Sequence, residues 1–285
     1  MTRRRAAKTV PTTLTRHELL VGLHQRLRPR TYLEIGVATG ASLALSRVPS
    51  IGIDPAYQVV EELHAKVRLA RAKSDDYFAA EDPKQWLGGP IDLAFIDGMH
   101  LFEFALRDFM NVEKHSRWST VVVFDDMLPR DVDEAARGRH TKAWTGDVFW
   151  VAEVLRAYRP DLTVFPVDTR PTGVVVVTGL DPDSTVLEDA YDEILAKYVH
   201  DDPQPVPDAV LRRKGAWDAR KLLNLPLWGC LHRGAWPLHT RAQGLREISE
   251  AIERPAEYRR RRRAVSERVR RLAGGVTQRP LSRAS

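Results

Sequence analysis

The sequence predicts an α/β fold: a doubly wound, mostly parallel sheet of seven strands, with an antiparallel hairpin at its edge and a C-terminal helical extension. Short apolar segments alternate with helical patterns as far as residue 180, which favours a sheet covered by helices on both faces. Residues 91–96 and 120–124 are mostly apolar, as is typical of strands buried on both faces of a parallel sheet. The last two strands, 162–166 and 173–177, are joined by a link too short for a crossover helix, so we expect them to pair antiparallel.

The individual elements follow from the local patterns. Leucines at helical spacing behind Thr15, a suitable N-cap, predict a first helix over residues 16–28. Residues 31–37 are rich in β-forming side chains and lead into a Gly/Ala/Thr turn. Strands are predicted over 31–37, 51–53, 91–96, 120–124, 162–166 and 173–177 and in the segment 67–79, where the strand would end near residues 74–76. Helices are predicted over 16–28, 42–46, 57–67, 101–115, 147–158, 186–199 and 244–272.

The charge of the chain is unevenly distributed. The 285 residues include 44 Lys and Arg against 38 Asp and Glu, a net charge of +6. Residues 1–10 carry +4 and residues 254–285 carry +9, which leaves −7 for residues 11–253. The basic character therefore belongs to the two ends and does not indicate a nucleic-acid-binding body.

Composition also excludes some classes of protein and site. The chain has a single cysteine, Cys230, so an intramolecular disulfide and a cysteine-rich metal cluster are both excluded. The basic N-terminus lacks the apolar stretch of a secretory signal, and no uncharged run approaches the roughly 18 residues of a membrane helix. We therefore expect a cytoplasmic protein.

The end of the first strand and the end of the second predict a nucleoside ligand. Gly36 and Gly40 follow Glu34 and let the backbone approach a ligand closely, although a plain strand–helix turn would look the same. Asp54 ends the next strand, about twenty residues after the glycine turn, where an acidic side chain can accept hydrogen bonds from ribose hydroxyls; a turn Asp before Pro55 is the alternative. No phosphate-binding glycine pattern is present, which points to S-adenosylmethionine, a nucleoside without phosphate.

Three carboxylates follow two later strands. Asp97 ends the strand at 91–96, and Asp125 and Asp126 end the strand at 120–124. Neighbouring strand ends lie about 5 Å apart, so these carboxylates would repel one another unless a cation lies between them. The pattern predicts a divalent cation, Mg²⁺ above all. A tight turn at Asp97 and a loop start or helix N-cap at the Asp pair are the alternatives.

These segments resemble class I S-adenosylmethionine-dependent methyltransferases. The runs that carry the resemblance are residues 32–40, 53–54, 95–100 and 124–126. More narrowly, they are similar to metal-dependent O-methyltransferases such as catechol O-methyltransferase and the macrocin-type enzymes that methylate sugar hydroxyls in natural products. The resemblance covers about residues 30–180 and implies a Rossmann-like fold.

The resemblance also implies a role for each matching residue. It assigns the methionine end of the cofactor to Glu34, Gly36 and Gly40, the ribose to Asp54, the surroundings of adenine to Ser74 or Asp75, and the metal to Asp97, Asp125 and Asp126. Several macrocin-type enzymes have a further Asp, implicated as a base, directly after the Asp-Gly pair, and here that residue is Met99. His100 is the nearest replacement, since its reference pKa of about 6.5 suits removal of a hydroxyl proton; a structural histidine is the alternative.

We therefore expect an enzyme that transfers a methyl group to a hydroxyl of a small acceptor, such as a sugar or another natural product, with His100 and Asp97 in catalytic roles. A homo-oligomer is compatible with the sequence, and nucleic acid is not the expected partner. The chain would divide into a basic arm (1–15), a cofactor-binding methyltransferase domain (16–200), a helical and irregular extension (201–273) and a disordered tail (274–285).

Two other functions remain open. The first is a protein that binds nucleic acid or a membrane surface through its Arg-rich C-terminal segment, although aromatic residues are not interleaved with these arginines. The second is a methyltransferase with a nitrogen acceptor, although the sequence has no Asn-Pro-Pro-Tyr-like element.

Overall fold

The computed structural model describes residues 13–234 and 240–274. The basic arm predicted for residues 1–15 lies outside this description except for residues 13–15, and so does the tail predicted for residues 274–285 except for Gly274. Among the described helices, none combines the length and the apolar character that a membrane crossing requires.

A central sheet of eight strands organises the molecule. The strands are β1 (Tyr32–Ile35), β2 (Ser50–Ile53), β3 (Val67–Ala70), β4 (Leu93–Ile96), β5 (Val121–Phe124), β6 (Thr163–Asp168), β7 (Val174–Thr178) and β8 (Trp217–Asp218). Their order across the sheet is β3-β2-β1-β4-β5-β7-β6-β8. Strands β1 to β5 are mutually parallel, whereas β7 runs antiparallel to both β5 and β6. The predicted mostly parallel sheet and the antiparallel hairpin are thus confirmed.

The prediction of seven strands was one short. The additional strand, β8, has two residues, Trp217 and Asp218, and pairs parallel with Val167 and Asp168 of β6. Strand β6 is therefore covered by β8 and is not the outermost strand. Two residues carry no periodicity, so the sequence pattern gave no sign of this strand.

Helices pack on both faces of the sheet. They are α1 (Arg16–Leu27), α2 (Ser74–Ala80), α3 (Pro83–Leu87), α4 (Phe102–Lys114), α5 (Trp150–Tyr158), α6 (Val186–Asp189), α7 (Tyr191–Tyr198), α8 (Asp208–Leu211), α9 (Ala219–Leu223), α10 (Leu227–Gly234), α11 (Arg241–Glu253) and α12 (Pro255–Gly274). Helix α1 begins with a capping box, in which Thr15 and Glu18 each accept a hydrogen bond from the other's backbone N–H.

Three of the predicted elements were wrong, and the helices predicted over 186–199 and 244–272 are each divided into two helices. Residues 57–67 are not helical, because the N–H groups of Gln58 and Val60 bond the carbonyls of Ala38 and Thr39 at 2.8 and 3.0 Å and tie the start of this segment to the glycine turn. The helix predicted from residue 42 is reduced to one 3₁₀ turn at Leu43–Leu45. The strand predicted in the segment 67–79 ends at Ala70, and α2 then begins at Ser74.

Two hydrophobic cores lie on opposite faces of the sheet, because successive strand residues point to opposite sides. On one face Leu33 and Ile35 of β1 pack in the core that also includes side chains of α2, α3, α4, α5 and α7. On the other face Tyr32 packs in the core formed with α1 and the C-terminal helices α9 to α12. The C-terminal helices therefore form part of the cover of the sheet, and the carboxyl ends of β1 to β5 remain free to form a site.

Candidate active site

One cavity of about 580 Å³ opens at the carboxyl ends of the parallel strands. Such a position is expected for a ligand site in an open α/β sheet. Seven of the predicted site residues line it: Gly36, Asp54, Ser74, Asp75, Asp97, His100 and Asp126. The other three, Glu34, Gly40 and Asp125, do not line this cavity.

Gly36 brings the end of β1 into contact with the end of β4. Its φ angle is +86°, and a Cβ atom at this position would lie 1.8 Å from the carbonyl oxygen of Asp97. Only glycine fits such a conformation and such a close backbone approach. The turn after β1 is therefore fixed directly beside Asp97, and both line the cavity.

Asp54 closes the end of β2. Its carboxylate accepts hydrogen bonds from the backbone N–H of Ala38 at 2.8 Å and from that of Ala56 at 2.6 Å. These bonds fix the side chain at the cavity wall and link it to the glycine turn. A carboxylate oxygen can accept a second bond, so Asp54 can still receive a ligand hydroxyl.

Glu34 and Gly40 lie under the turn instead of facing the cavity. Glu34 is fully buried and accepts hydrogen bonds from the hydroxyls of Tyr32 at 2.6 Å and Ser42 at 2.8 Å. Gly40 has a φ of +85°, and a Cβ atom there would lie 3.0 Å from Val59. In this structure both residues support the turn from behind, and the sequence pattern could not distinguish this position from direct ligand contact.

Asp97, His100 and Asp126 form a cluster at the β4 and β5 side of the cavity. The Nε2 atom of His100 lies 3.3 Å from Asp97, and its Nδ1 atom lies 3.4 Å from Asp126. One oxygen or nitrogen atom from each of the three residues lies within 4.8 Å of the others. Thr172, in the hairpin link, also donates a hydrogen bond to Asp126.

The loop that follows β5 holds the His100 ring. Nδ1 lies 2.9 Å from the carbonyl oxygen of Trp144, which can only accept a hydrogen bond, and the two rings stack with centroids 5.1 Å apart. Nδ1 therefore carries a proton, and Nε2 is directed at Asp97. Burial lowers the pKa of His100, but the bond to Asp97 and the charge of Asp126 outweigh it and raise the pKa to about 9.

Asp125 is separated from this cluster by Arg16. Its side chain is only 1% exposed and forms an ion pair with the guanidinium of Arg16, the first residue of α1. Arg16 also approaches Asp97, at 3.9 Å. Burial and the charges of Asp97 and Asp126 act to raise the pKa of Asp125, whereas the charge of Arg16 acts to lower it and favours the ion pair. Asp97 and Asp126 therefore lie together as predicted, whereas Asp125 pairs with the guanidinium of Arg16.

The residues fit a divalent cation through a mixed set of atoms. Two carboxylates and one imidazole suit a transition-metal ion such as Mn²⁺ better than Mg²⁺, which prefers oxygen ligands alone. The carbonyl of Trp144 behind Nδ1 is the kind of outer contact that orients a ligating histidine.

The opposite side of the cavity lies at the end of β3 and the start of α2. Ser74 and Asp75 line it, together with Phe104 and Asp108 of α4. Asp75 forms an ion pair with Arg107 at 2.9 Å. Strands β3 and β5 are four positions apart in the sheet, which separates the two sides of the cavity by about 19 Å at the usual strand spacing.

Sequence reasoning missed several residues of this site. Arg16 and Asp108 lie on helices, within patterns that look like ordinary amphipathic surfaces, and Thr172 lies in a short link. Arg16 and its partner Asp125 are 109 residues apart in the chain. The only signal in the sequence is the position of Arg16, a charged residue at the start of the helix that precedes the first strand.

Comparison with known proteins gives one family match and several structural likenesses. An O-methyltransferase from Bacillus cereus in complex with S-adenosylhomocysteine is 18% identical and matches over 61% of this chain and 84% of its own, with a TM-score of 0.41. TomG, an O-methyltransferase from Streptomyces achromogenes involved in tomaymycin synthesis and solved with S-adenosylmethionine, is 23% identical over 56% of this chain and 78% of its own, with a TM-score of 0.42. No curated protein matches the sequence.

These TM-scores are low, so the assignment depends on the family model. Residues 33–127 match a family described as a methyltransferase domain. The matched segment runs from β1 to the residue after the Asp125-Asp126 pair and so includes the ends of all five parallel strands at the cavity. This match favours an enzyme over a protein that binds nucleic acid or membranes through its Arg-rich segment. Residues 33–127 are thus similar to a methyltransferase domain, and they form the parallel strands whose carboxyl ends line the cavity.

Proposed function

We propose that the protein transfers a methyl group from S-adenosylmethionine to a hydroxyl oxygen of a small acceptor, such as a sugar or another natural product. The observation that carries the proposal is that one cavity joins Asp54 to the cluster of Asp97, His100 and Asp126. One side of this cavity suits a nucleoside, and the other offers groups that can bind and deprotonate a hydroxyl.

The cofactor would lie across the strand ends. Asp54 would accept hydrogen bonds from the ribose hydroxyls, and the backbone at Gly36 would contact the part of the cofactor that leads to the sulfonium. Ser74 and Asp75 would lie near the adenine. This orientation directs the methyl group toward Asp97 and His100, since β4 and β5 lie on the other side of β1 from β2 and β3.

The reaction requires alignment and removal of one proton. The acceptor oxygen attacks the methyl carbon in line with the carbon–sulfur bond, which breaks and leaves its electron pair on sulfur, giving S-adenosylhomocysteine and a methyl ether. The sulfonium already activates the methyl group, so the protein mainly orients the two reactants. His100 would take the hydroxyl proton at Nε2 in the state in which this nitrogen is deprotonated and binds no cation, a state that its pKa of about 9 favours at alkaline pH, while the Trp144 carbonyl holds the proton on Nδ1.

A divalent cation fits the same end of the cavity. Asp97 and Asp126 would hold it, with His100 beside them, and Asp125 would stay with Arg16. When bound, such a cation polarises the acceptor oxygen and lowers the pKa of its hydroxyl. The position of Asp97 beside both the cation and His100 gives this carboxylate its catalytic role.

Calorimetric titration with S-adenosylhomocysteine and transfer of a labelled methyl group to a panel of hydroxylated acceptors test the proposal. We expect Asp126→Asn to retain cofactor binding but to lose at least about 10-fold in turnover and in Mn²⁺ affinity, because removing a charge-assisted contact has an effect of this order. Asp76→Asn is the control, since it makes the same chemical change at an exposed residue that does not line the cavity. Absence of cofactor binding by the unmodified protein would refute the proposed function, and unchanged turnover and Mn²⁺ binding in Asp126→Asn would refute the cation site.

A further inference from the structure

Arg213 lies outside the segment that is similar to a methyltransferase domain, yet it contacts the border of the candidate active site. It comes two residues after the end of α8, and its side chain is 22% exposed. Its guanidinium donates to four acceptors: the carbonyl oxygens of Thr169 (3.0 Å), Pro171 (2.5 Å) and Leu128 (3.4 Å), and the carboxylate of Asp168. Arg213 therefore joins the loop after β5 to the hairpin link, which is residues 169–173 between β6 and β7.

The backbone of Arg213 indicates that its side-chain contacts hold the residue in place. Its φ angle is +51°, in the left-handed region, which glycine and asparagine tolerate better than arginine does. Such a conformation persists where the surrounding structure imposes it. A turn at this point does not itself require a long, charged side chain, so the four acceptors account for the arginine.

The hairpin link holds Asp126 and the two residues that follow it. The hydroxyl of Thr172 donates a hydrogen bond to the Asp126 carboxylate. The N–H of Leu128 bonds the carbonyl of Thr172 at 2.6 Å, and the N–H of Met127 bonds that of Gly173 at 3.2 Å. The position of Asp126 in the cluster therefore depends on the position of the link.

The same link also holds the chain that leads into α1. The N–H of Arg170 bonds the carbonyl of Leu14 at 2.9 Å, and the N–H of Arg16 bonds the carbonyl of Arg170 at 3.3 Å. The Nε atom of Arg170 donates to the carbonyl of Thr13 at 3.0 Å. Because Arg16 pairs with Asp125, the link connects both aspartates after β5 to the rest of the fold.

We propose that Arg213 is a positioning residue for the methyl transfer, an inference that rests on the proposed function. By fixing the hairpin link, it sets the positions of the Asp126 carboxylate and of the Arg16 guanidinium. A guanidinium suits this role because its five N–H donors lie in a planar fork and can hold several acceptors at once. Arg213 does not line the cavity, so it acts on the reaction only through the link.

The nucleoside end of the cavity is held by other contacts. Asp54 accepts hydrogen bonds from the N–H groups of Ala38 and Ala56, and neither of these residues contacts the hairpin link through a hydrogen bond given by the structure. Loss of Arg213 should therefore displace the groups around the acceptor and leave cofactor binding unchanged. This difference separates a positioning role from a general contribution to stability.

Amide hydrogen exchange tests whether Arg213 holds the link. Arg213→Asn removes the guanidinium, and asparagine tolerates the left-handed backbone. We expect exchange at the amides of residues 14–16, 127–128 and 170–173 to become at least about 10-fold faster, as for the loss of hydrogen bonds to a charged group. Exchange at residues 35–38 and 54–56 should not change. Arg212→Asn is the matched control, since it makes the same change at the preceding residue, whose side chain is 67% exposed.

Steady-state kinetics and calorimetry test whether the link acts on the reaction. We expect Arg213→Asn to lower kcat at least about 10-fold, while KM for S-adenosylmethionine and the affinity for S-adenosylhomocysteine stay within about 3-fold. Arg213→Lys keeps the positive charge but offers its three donors from one point, so its kcat should lie between those of Arg213→Asn and the unmodified protein. Arg213→Lys also carries both measurements if Arg213→Asn does not fold. Arg212→Asn should match the unmodified protein in all of these measurements.

The outcomes separate this role from the proposed function. Unchanged exchange at the link, unchanged kcat, or equal losses of kcat and of S-adenosylhomocysteine affinity would each refute the positioning role, while the proposed function would stand. If the unmodified protein neither binds S-adenosylhomocysteine nor methylates a hydroxylated acceptor, both are refuted.

Discussion

Glu34 gives the sharpest prediction, because it is a titratable group that is fully buried in the folded protein. Its carboxylate is bonded only by the hydroxyls of Tyr32 and Ser42 among the described side chains. Burial raises its pKa from 4.5 to about 8, although these two hydrogen bonds favour the charged form. The folded state therefore holds the proton more tightly than the unfolded state does.

The sign and size of the pH dependence follow from this difference. The contribution of Glu34 to stability is fully present below pH 4.5 and is lost as the pH rises toward 8. At about 1.4 kcal/mol for each pH unit, the loss between pH 5 and pH 8 is roughly 3 to 4 kcal/mol. Glu34→Gln keeps the shape of the side chain and removes the titration. The free energy of unfolding of the variant, relative to that of the unmodified protein, should therefore increase by roughly 3 to 4 kcal/mol when the pH is raised from 5 to 8.

Urea unfolding followed by tryptophan fluorescence at pH 5 and pH 8 measures the effect. Glu61→Gln is the matched control, since Glu61 is exposed, and its stability relative to the unmodified protein should not change with pH. If the free energies of unfolding of Glu34→Gln and the unmodified protein differ by the same amount at both pH values, the assignment of a buried, neutral Glu34 is refuted. The affinity of Glu34→Gln for S-adenosylhomocysteine should stay within about 3-fold, because Glu34 does not line the cavity.

Two further substitutions test the scaffold and the turn. Arg159→Met should destabilise the protein by about 3–5 kcal/mol in urea unfolding, because Arg159 and Glu113 form an ion pair with side chains only 2% and 4% exposed; Arg212→Met, in a pair that is 67% exposed on the Arg side, should cost less than about 1 kcal/mol. Equal effects would contradict this explanation. Gly36→Ala should reduce S-adenosylhomocysteine binding at least about 10-fold and stability by about 2 kcal/mol, because the new Cβ would lie 1.8 Å from a backbone carbonyl oxygen. Gly89→Ala, where nothing lies within 4 Å, should behave like the unmodified protein in both calorimetry and unfolding.

The strands that position the site were predictable because their side chains are apolar on both faces. Strands β4 and β5 lie inside the predicted ranges, and Asp97 and Asp126, which follow them, both line the cavity. The segment 57–67 was not predictable in the same way, because its valines fit a helical face as well as an extended chain. Its conformation is decided by backbone bonds to Ala38 and Thr39, which come from a different part of the sequence.

The Asp125-Asp126 pair shows why two adjacent acids at a strand end do not automatically share one cation. Successive side chains of an extended chain point to opposite sides, so only one of the two can face the cavity directly. Asp126 has a φ of +60°, an unusual conformation for a residue other than glycine, and its carboxylate lies beside His100. Asp125 keeps the opposite direction and would be a buried carboxylate without a partner if Arg16 were absent. Helix α1 is therefore part of the active-site architecture, because its first residue balances the carboxylate that the strand geometry turns away from the cavity.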